Sequence, residues 1–328
     1  MVKLLVLSPY ARYEIRSELS RNLPKGVQMP QILLSKELKV DGMDDALKDV
    51  DVILADYTSK TRVDRRMLEK VRNLRFVQIP NSNTDGVDVE ACTKLGVRVA
   101  LCPDASDNAV AEHCLAVALT LLRRLFFLHM NTLEGKWERE EATGAISELR
   151  GKTWGIIGLN GSGLRLAKLV SSLGVKLHYT QPSRLDSSQE RKIHAKYSTF
   201  EQLLIESDII SIHSANTQSI IGEEQLRLMK PTALLIDVSG SLAVDETALA
   251  KALMNGTIMG ASVDSYSEEP VTPQNPLVLA AKEGAPLILT PHVAAETLEA
   301  RQRIISFSMA NIAKLIAGQK PLNIINDV

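Results

Sequence analysis

The chain has 328 residues, with 38 Lys and Arg against 39 Asp and Glu and a formal net charge of −1. That balance excludes the electrostatic footprint of a nucleic-acid or anionic-membrane binder, and the length favours two domains with ample chain for two cores. Cys92, Cys102 and Cys114 show neither metal spacing nor a disulfide framework, and the apolar run from Leu4 to Leu7 is too short for a signal peptide. The expectation is a soluble cytoplasmic protein with no metal.

Residues 3–8 read as a buried strand and 12–23 as a helix. Apolar runs at 52–55, 76–79 and 97–101 then alternate with helical patterns at 43–47, 65–71 and 89–95, which is βα repetition and implies a parallel sheet. After Pro103 a single apolar helix is predicted over 107–130, capped by Ser106 or Asp107 and too hydrophobic on several faces to lie exposed. Such a helix suits a domain bridge or an oligomer contact. Residues 132–150, with Trp137 among them, are polar and charged and read as a loop or arm.

The next stretch, 151–184, reads strand (154–157), glycine turn, amphipathic helix with Leu164, Ala167, Leu169, Val170 and Leu173 inward, and strand (176–180). This βαβ unit aims a helix N-terminus where a pyrophosphate would lie, because free N–H groups and the helix dipole favour an anion there. The turn is Gly158-Leu159-Asn160-Gly161-Ser162-Gly163, a dinucleotide fingerprint with its middle glycine replaced by Asn160. At the end of the second strand, Gln181 stands where an acidic residue accepts a ribose hydroxyl, with Ser183 and Arg184 close by. Such a site holds a 2′-phosphate more easily than a free hydroxyl, so the expected cofactor is NADP or NAD, with NADP favoured. Strands at 209–213, 233–237, 259–263 and 287–290 alternate with helices at 199–206, 222–229 and 245–255, giving six strands in a doubly wound sheet. A final helix is expected over 294–318; its periodicity alone leaves open whether it crosses back to the first domain.

Four further segments share this frame: Val110-Ala111-Glu112-His113, Gly260-Ala261-Ser262-Val263-Asp264, Glu268-Glu269-Pro270 and Thr290-Pro291-His292. With the glycine turn, in this order, they make the whole chain resemble the D-isomer-specific 2-hydroxyacid dehydrogenase family. That family includes phosphoglycerate dehydrogenases, glyoxylate reductases and the C-terminal-binding-protein corepressors. The resemblance implies an α/β fold of two Rossmann-like domains with doubly wound parallel sheets and a cleft between them. The domains would be a discontinuous, flavodoxin-like substrate domain of residues 1–103 plus 296–328 and a dinucleotide-binding Rossmann domain of residues 104–295. It also implies a homodimer and a small-molecule substrate.

In the family a histidine donates a proton to the substrate carbonyl while nicotinamide delivers hydride, and a carboxylate before a proline holds the imidazole; His292 and Glu269 match them. A His–Glu pair supplies the near-neutral acid that ketone reduction needs. Asp264 stands where the family binds the nicotinamide carboxamide, and Thr217 and Val238 fall in segments lining the cofactor site. His213 opens a segment that has lost the family's proline and leucine, and Ser162 and Cys114 have no base beside them in sequence. Two departures affect the substrate. Gly240 stands where the family's N-x-x-R-G pattern places its carboxylate-clamping arginine, and Asn81-Ser82-Asn83 replaces a glycine-bearing substrate loop that continues to Asp85. The expected function is NAD(P)-dependent hydride transfer to or from a small carbonyl or hydroxy compound with a degenerate substrate site. The alternative is a catalytically silent dinucleotide-binding or corepressor-like partner-binding protein.

Overall fold

The computed structural model describes residues 1–38, 42–58, 60–84, 86–159, 161–214, 219–240, 242–326 and 328. Asn160, Thr217 and Asp85, all part of the sequence expectations, lie outside the described residues. The chain divides into two compact units, residues 1–106 with 298–328 and residues 107–297.

The first unit is built on β1 (Lys3–Val6), β2 (Gln31–Leu34), β3 (Val52–Leu54), β4 (Phe76–Gln78) and β5 (Arg98–Ala100), in the order β2-β1-β3-β4-β5. All its strand pairs are parallel. Successive side chains of a strand point to opposite faces, and here both faces are buried: Leu5, Ile53, Val77 and Val99 enter one core layer, and Leu4, Val6, Val52, Leu54 and Phe76 the other. The second layer is closed by Ile15 and Leu19 of the helix Arg12–Asn22 and by Ile305, Met309 and Ile312 of the terminal helix Leu298–Ile316. That terminal helix is pinned by a buried amide pair, in which Asn311 Nδ2 donates to Gln78 Oε1 at 2.7 Å and Asn311 Oδ1 accepts from the Leu322 N–H at 2.6 Å.

The second unit contains β6 (Thr153–Ile157), β7 (Lys176–Thr180), β8 (Ala195–Tyr197), β9 (Ile209–Ile212), β10 (Leu234–Asp237), β11 (Gly260–Val263) and β12 (Leu287–Leu289). Their order is β12-β11-β10-β9-β6-β7-β8, all parallel. The order reverses between β6 and β9, and in open sheets of this kind ligands bind outside the carboxyl ends at such a switch point. The glycine turn leaves β6 there, and His213 leaves β9 beside it.

Several sequence expectations change. The sheet has seven strands rather than six, because the three-residue edge strand β8 is added. The helix expected over 107–130 is two helices, Asp107–Leu122 and Leu125–Leu133, broken where Arg124 takes a left-handed φ of +50°. The first buries Ala111, Cys114, Ala118 and Leu122, whereas the second buries none of its residues. In the helix after the glycine turn, Gly161–Ser171, the inward positions are Gly163, Leu166, Ala167 and Val170. Leu164 and Leu169 are only partly covered and Leu173 is exposed.

Candidate active site

The glycine turn is tight by necessity. Gly158 has φ +90°, a region that side chains rarely adopt, and a Cβ there would stand 2.9 Å from the Ser214 backbone nitrogen. A Cβ on Gly163 would stand 2.2 Å from the Gly158 carbonyl oxygen, so only glycine lets the helix approach β6 this closely. Gly161, at φ +45°, is exposed and faces the Asp107 carboxylate, 3.2 Å from where its Cβ would be. The arrangement presents the N-terminus of an eleven-residue helix at the switch point, which suits an anionic group of a dinucleotide.

At the carboxyl end of β11 stands a second cluster. Glu269 carboxylate oxygens lie 2.9 and 3.0 Å from His292 Nδ1. Glu269 Oε1 also accepts the Tyr266 backbone N–H at 3.0 Å, which fixes the carboxylate. An ionised carboxylate only accepts, so Nδ1 carries a proton toward Glu269 and Nε2 is the nitrogen left for chemistry. His292 has φ +54°, a left-handed conformation that costs a non-glycine residue about 1–3 kcal/mol and persists only where its surroundings enforce it. The enforcer is Asp264, whose Oδ1 accepts from Thr290 Oγ1 (2.6 Å) and the Val293 N–H (2.9 Å), and whose Oδ2 accepts from the Ala294 N–H (2.9 Å). Tyr266 adds its hydroxyl against the Thr290 carbonyl at 3.0 Å. Sequence reasoning missed this tyrosine, since nothing local marks an aromatic two residues past Asp264 as a loop clamp.

A family model for the D-isomer specific 2-hydroxyacid dehydrogenase NAD-binding domain matches residues 115–294. The chain belongs to the D-isomer specific 2-hydroxyacid dehydrogenase family. It is 35% identical over 305 residues to a glyoxylate reductase of Aeropyrum pernix, covering 90% of this chain and 86% of that protein. It is 34% identical over 288 residues to a glyoxylate reductase of Thermococcus litoralis, covering 85% of each. The D-mandelate dehydrogenase of Rhodotorula graminis shares its fold, with a TM-score of 0.86 over 100% of this chain and 99% of that one at 22% identity.

The family's dinucleotide fits the residues present, because Gly158 and Gly163 keep the turn free of Cβ atoms that would force it open. Of the three residues on which the sequence bases its NADP preference, Gln181, Ser183 and Arg184, the side chains of Gln181 and Arg184 are already engaged. Gln181 Oε1 accepts the Leu159 N–H at 3.1 Å, and its Nε2 donates to the Ser183 carbonyl at 2.7 Å. Arg184 Nε and Nη2 each donate to Glu190 at 2.9 Å, and the guanidinium lies 5.5 Å over the Tyr197 ring. Arg184 is therefore not the free cation that a 2′-phosphate preference assumes. Displacing Arg184 would leave Glu190 without the cation that pairs with it.

Contrary to the sequence expectation, Ser162 and Cys114 do meet a base. Ser162 Oγ lies 2.9 Å from His213 Nδ1, and Cys114 Sγ lies 4.0 Å from Nε2. Ser211 Oγ, 3.1 Å from Nε2, also accepts the Trp154 indole N–H at 3.0 Å. Burial alone pushes His213 down to about 3, and burial first, then the charges of Asp264 and Asp237, push Cys114 up and keep it a thiol, so neither is ionised at neutral pH and the trio is no nucleophile system. Proton accounting fixes the tautomer. The indole can only donate, so the buried Ser211 hydroxyl must give its own proton to Nε2; protonating Nε2 instead strands a buried donor at about 1–3 kcal/mol. His213 then carries its proton on Nδ1 and donates it to Ser162.

One departure from the expected family pattern lies beside His292. A side chain on Gly240 would begin 3.8 Å from Nε2, and among the described residues, its chain neighbours aside, no other atom comes within 4 Å. Gly240 has φ +67°, so the position of the family arginine is also a backbone that disfavours one. Asp237, where the family pattern has asparagine, is buried at the end of β10; burial first, and then the charges of Asp264 and Glu246, push it up to about 6 despite the Ser239 N–H bound to Oδ1 at 3.0 Å. Val238 packs partly buried against the core beneath. In the other unit Asn81 Nδ2 donates to the Tyr57 carbonyl at 3.1 Å, while Ser82 and Asn83 are exposed. Among the described residues no group of His, Cys, Asp or Glu is arranged to hold a metal ion.

Proposed function

We propose that the chain is an NAD(P)-dependent oxidoreductase transferring hydride to or from a small carbonyl or hydroxy compound, with His292 as the proton donor and Glu269 as its positioning partner. The observation that carries this is the pair itself, a carboxylate locked by the Tyr266 N–H and bound to Nδ1 so that Nε2 is presented. A bound nicotinamide supplies or takes up the hydride. The chain's own part is to seat the dinucleotide at Gly158, Gly161, Ser162 and Gly163, to engage its carboxamide through the remaining acceptor capacity of Asp264, and to move one proton at Nε2. Asn160, Gln181, Ser183, Arg184, Thr217 and Val238 complete the proposed cofactor site, and Asn81, Ser82 and Asn83 the substrate loop.

Without an arginine at 240, a 2-keto acid loses a charge-assisted hydrogen bond worth roughly 1.5–3 kcal/mol of binding. It also loses a donor to developing charge worth about 2.7–4 kcal/mol of barrier. The favoured substrate therefore does not depend on that clamp. With Arg184 paired to Glu190, NADH and NADPH are expected to bind within about tenfold of each other. The open position at Gly240 also supports the second reading, a dinucleotide-binding protein without turnover. Turnover of NADH or NADPH with a panel of 2-keto acids, aldehydes and ketones separates them: oxidation with any member supports the enzyme, and cofactor binding with none supports the silent form.

The exposed apolar helix Leu125–Leu133 supports a homodimer, and three buried free cysteines suit the cytoplasm. Among the described residues, no helix is long and apolar enough to cross a membrane.

A further inference from the structure

The hydrogen-bond chain behind the glycine turn ends on a hydroxyl for whose proton no acceptor stands among the described residues. Trp154 donates to Ser211, Ser211 donates to His213 Nε2, and His213 Nδ1 donates to Ser162 Oγ. Ser162 is the second residue of the helix Gly161–Ser171 and is partly exposed at the end where the helix leaves its first N–H groups unpaired. Because Oγ already accepts from the imidazole, its own O–H is directed away from His213.

We propose that Ser162 donates this hydrogen bond to the pyrophosphate of the dinucleotide, with His213 as the positioning residue that sets its direction. The assignment rests on the cofactor reading above. His213 stays neutral and buried, so it turns the hydroxyl without adding charge to the site. In the opposite tautomer Ser162 would donate inward and present lone pairs to the phosphates, repelling them.

The test measures affinity for ADP, NADH and adenosine in the wild-type chain and in Ser162→Ala and Ser162→Thr, together with the ring nitrogen shifts of His213 by NMR without ligand. The expected result is about tenfold weaker ADP and NADH binding in Ser162→Ala, recovery in Ser162→Thr, unchanged adenosine binding and a proton on Nδ1. Equal ADP affinity in wild type and Ser162→Ala, or a proton on Nε2, overturns the assignment while leaving the cofactor reading intact. A wild-type chain that binds neither ADP nor NADH overturns both.

Discussion

Asp237 is the residue whose environment most clearly sets a pH dependence. Its folded-state value of about 6 exceeds the 3.8 of a free aspartate, because burial penalises the charged form. The folded state therefore holds the proton more tightly, so this contribution to stability is complete below about pH 4 and lost as pH rises through about 6. Above that the buried carboxylate costs roughly 3 kcal/mol. Asp237→Asn keeps an acceptor for the Ser239 N–H, and it is expected to be more stable than wild type by roughly 1–3 kcal/mol near pH 8 and about equal near pH 4. Denaturant unfolding at both pH values checks this, and a gain that does not change with pH contradicts it. At this scale the sequence singled out His292, Glu269 and Asp264 because each lies in a short local pattern, but it did not show that Asp264 holds the His292 loop through Thr290, Val293 and Ala294. It did not carry the partnership of His213 with Ser162 and Cys114, which lie 51 and 99 residues away: Ser162 is brought there by the pairing of β9 with β6, and Cys114 by the packing of the helix Asp107–Leu122 into the same core.

Among the elements, the close approach of the helix Gly161–Ser171 to β6 is the most demanding. A methyl group on Gly163 meets the Gly158 carbonyl oxygen, which is backbone and has little room to yield. Gly163→Ala is expected to cost about 1–3 kcal/mol of stability and to weaken NADH binding, since the helix N-terminus must move off the turn. Thermal unfolding and cofactor titration measure the two effects, and unchanged affinity would show that the turn does not carry the cofactor. Most strands were legible as continuous apolar runs, as buried parallel strands are. The four-residue β2 and the three-residue β8 are too short to show a period, and β8 is only Ala-Lys-Tyr. The helix break at Arg124 escaped for another reason: neither Gly nor Pro marks it, and the surrounding leucines and phenylalanines continue the helical pattern unbroken. The inward face of the helix Gly161–Ser171 follows from Gly163, since Leu166, Ala167 and Val170 lie three, four and seven residues on.

For the molecule as a whole, the parallel sheets follow from the βα rhythm, whereas the return of the terminal helix to the first unit is implied by the family resemblance and not by its periodicity. The exposed helix Leu125–Leu133 has no such account within one chain. Phe126, Met130 and Leu133 recur at i, i+4 and i+7, and they are 67%, 42% and 69% exposed. An apolar face of that kind on a monomer marks an interface. Wild type is expected to sediment as a dimer and Phe126→Glu with Leu133→Glu as a folded monomer; a monomeric wild type, or a double variant that still dimerises, contradicts the homodimer.

The central claim is that His292 passes a proton through Nε2 to a carbonyl reduced beside it. Its most direct measurement is the single-turnover rate of NADH oxidation, at saturating cofactor and with the best carbonyl of the panel, in wild type and His292→Ala. The account predicts a rate about 10²–10⁴-fold lower in the variant, with NADH affinity unchanged. A variant that turns over at the wild-type rate would contradict it.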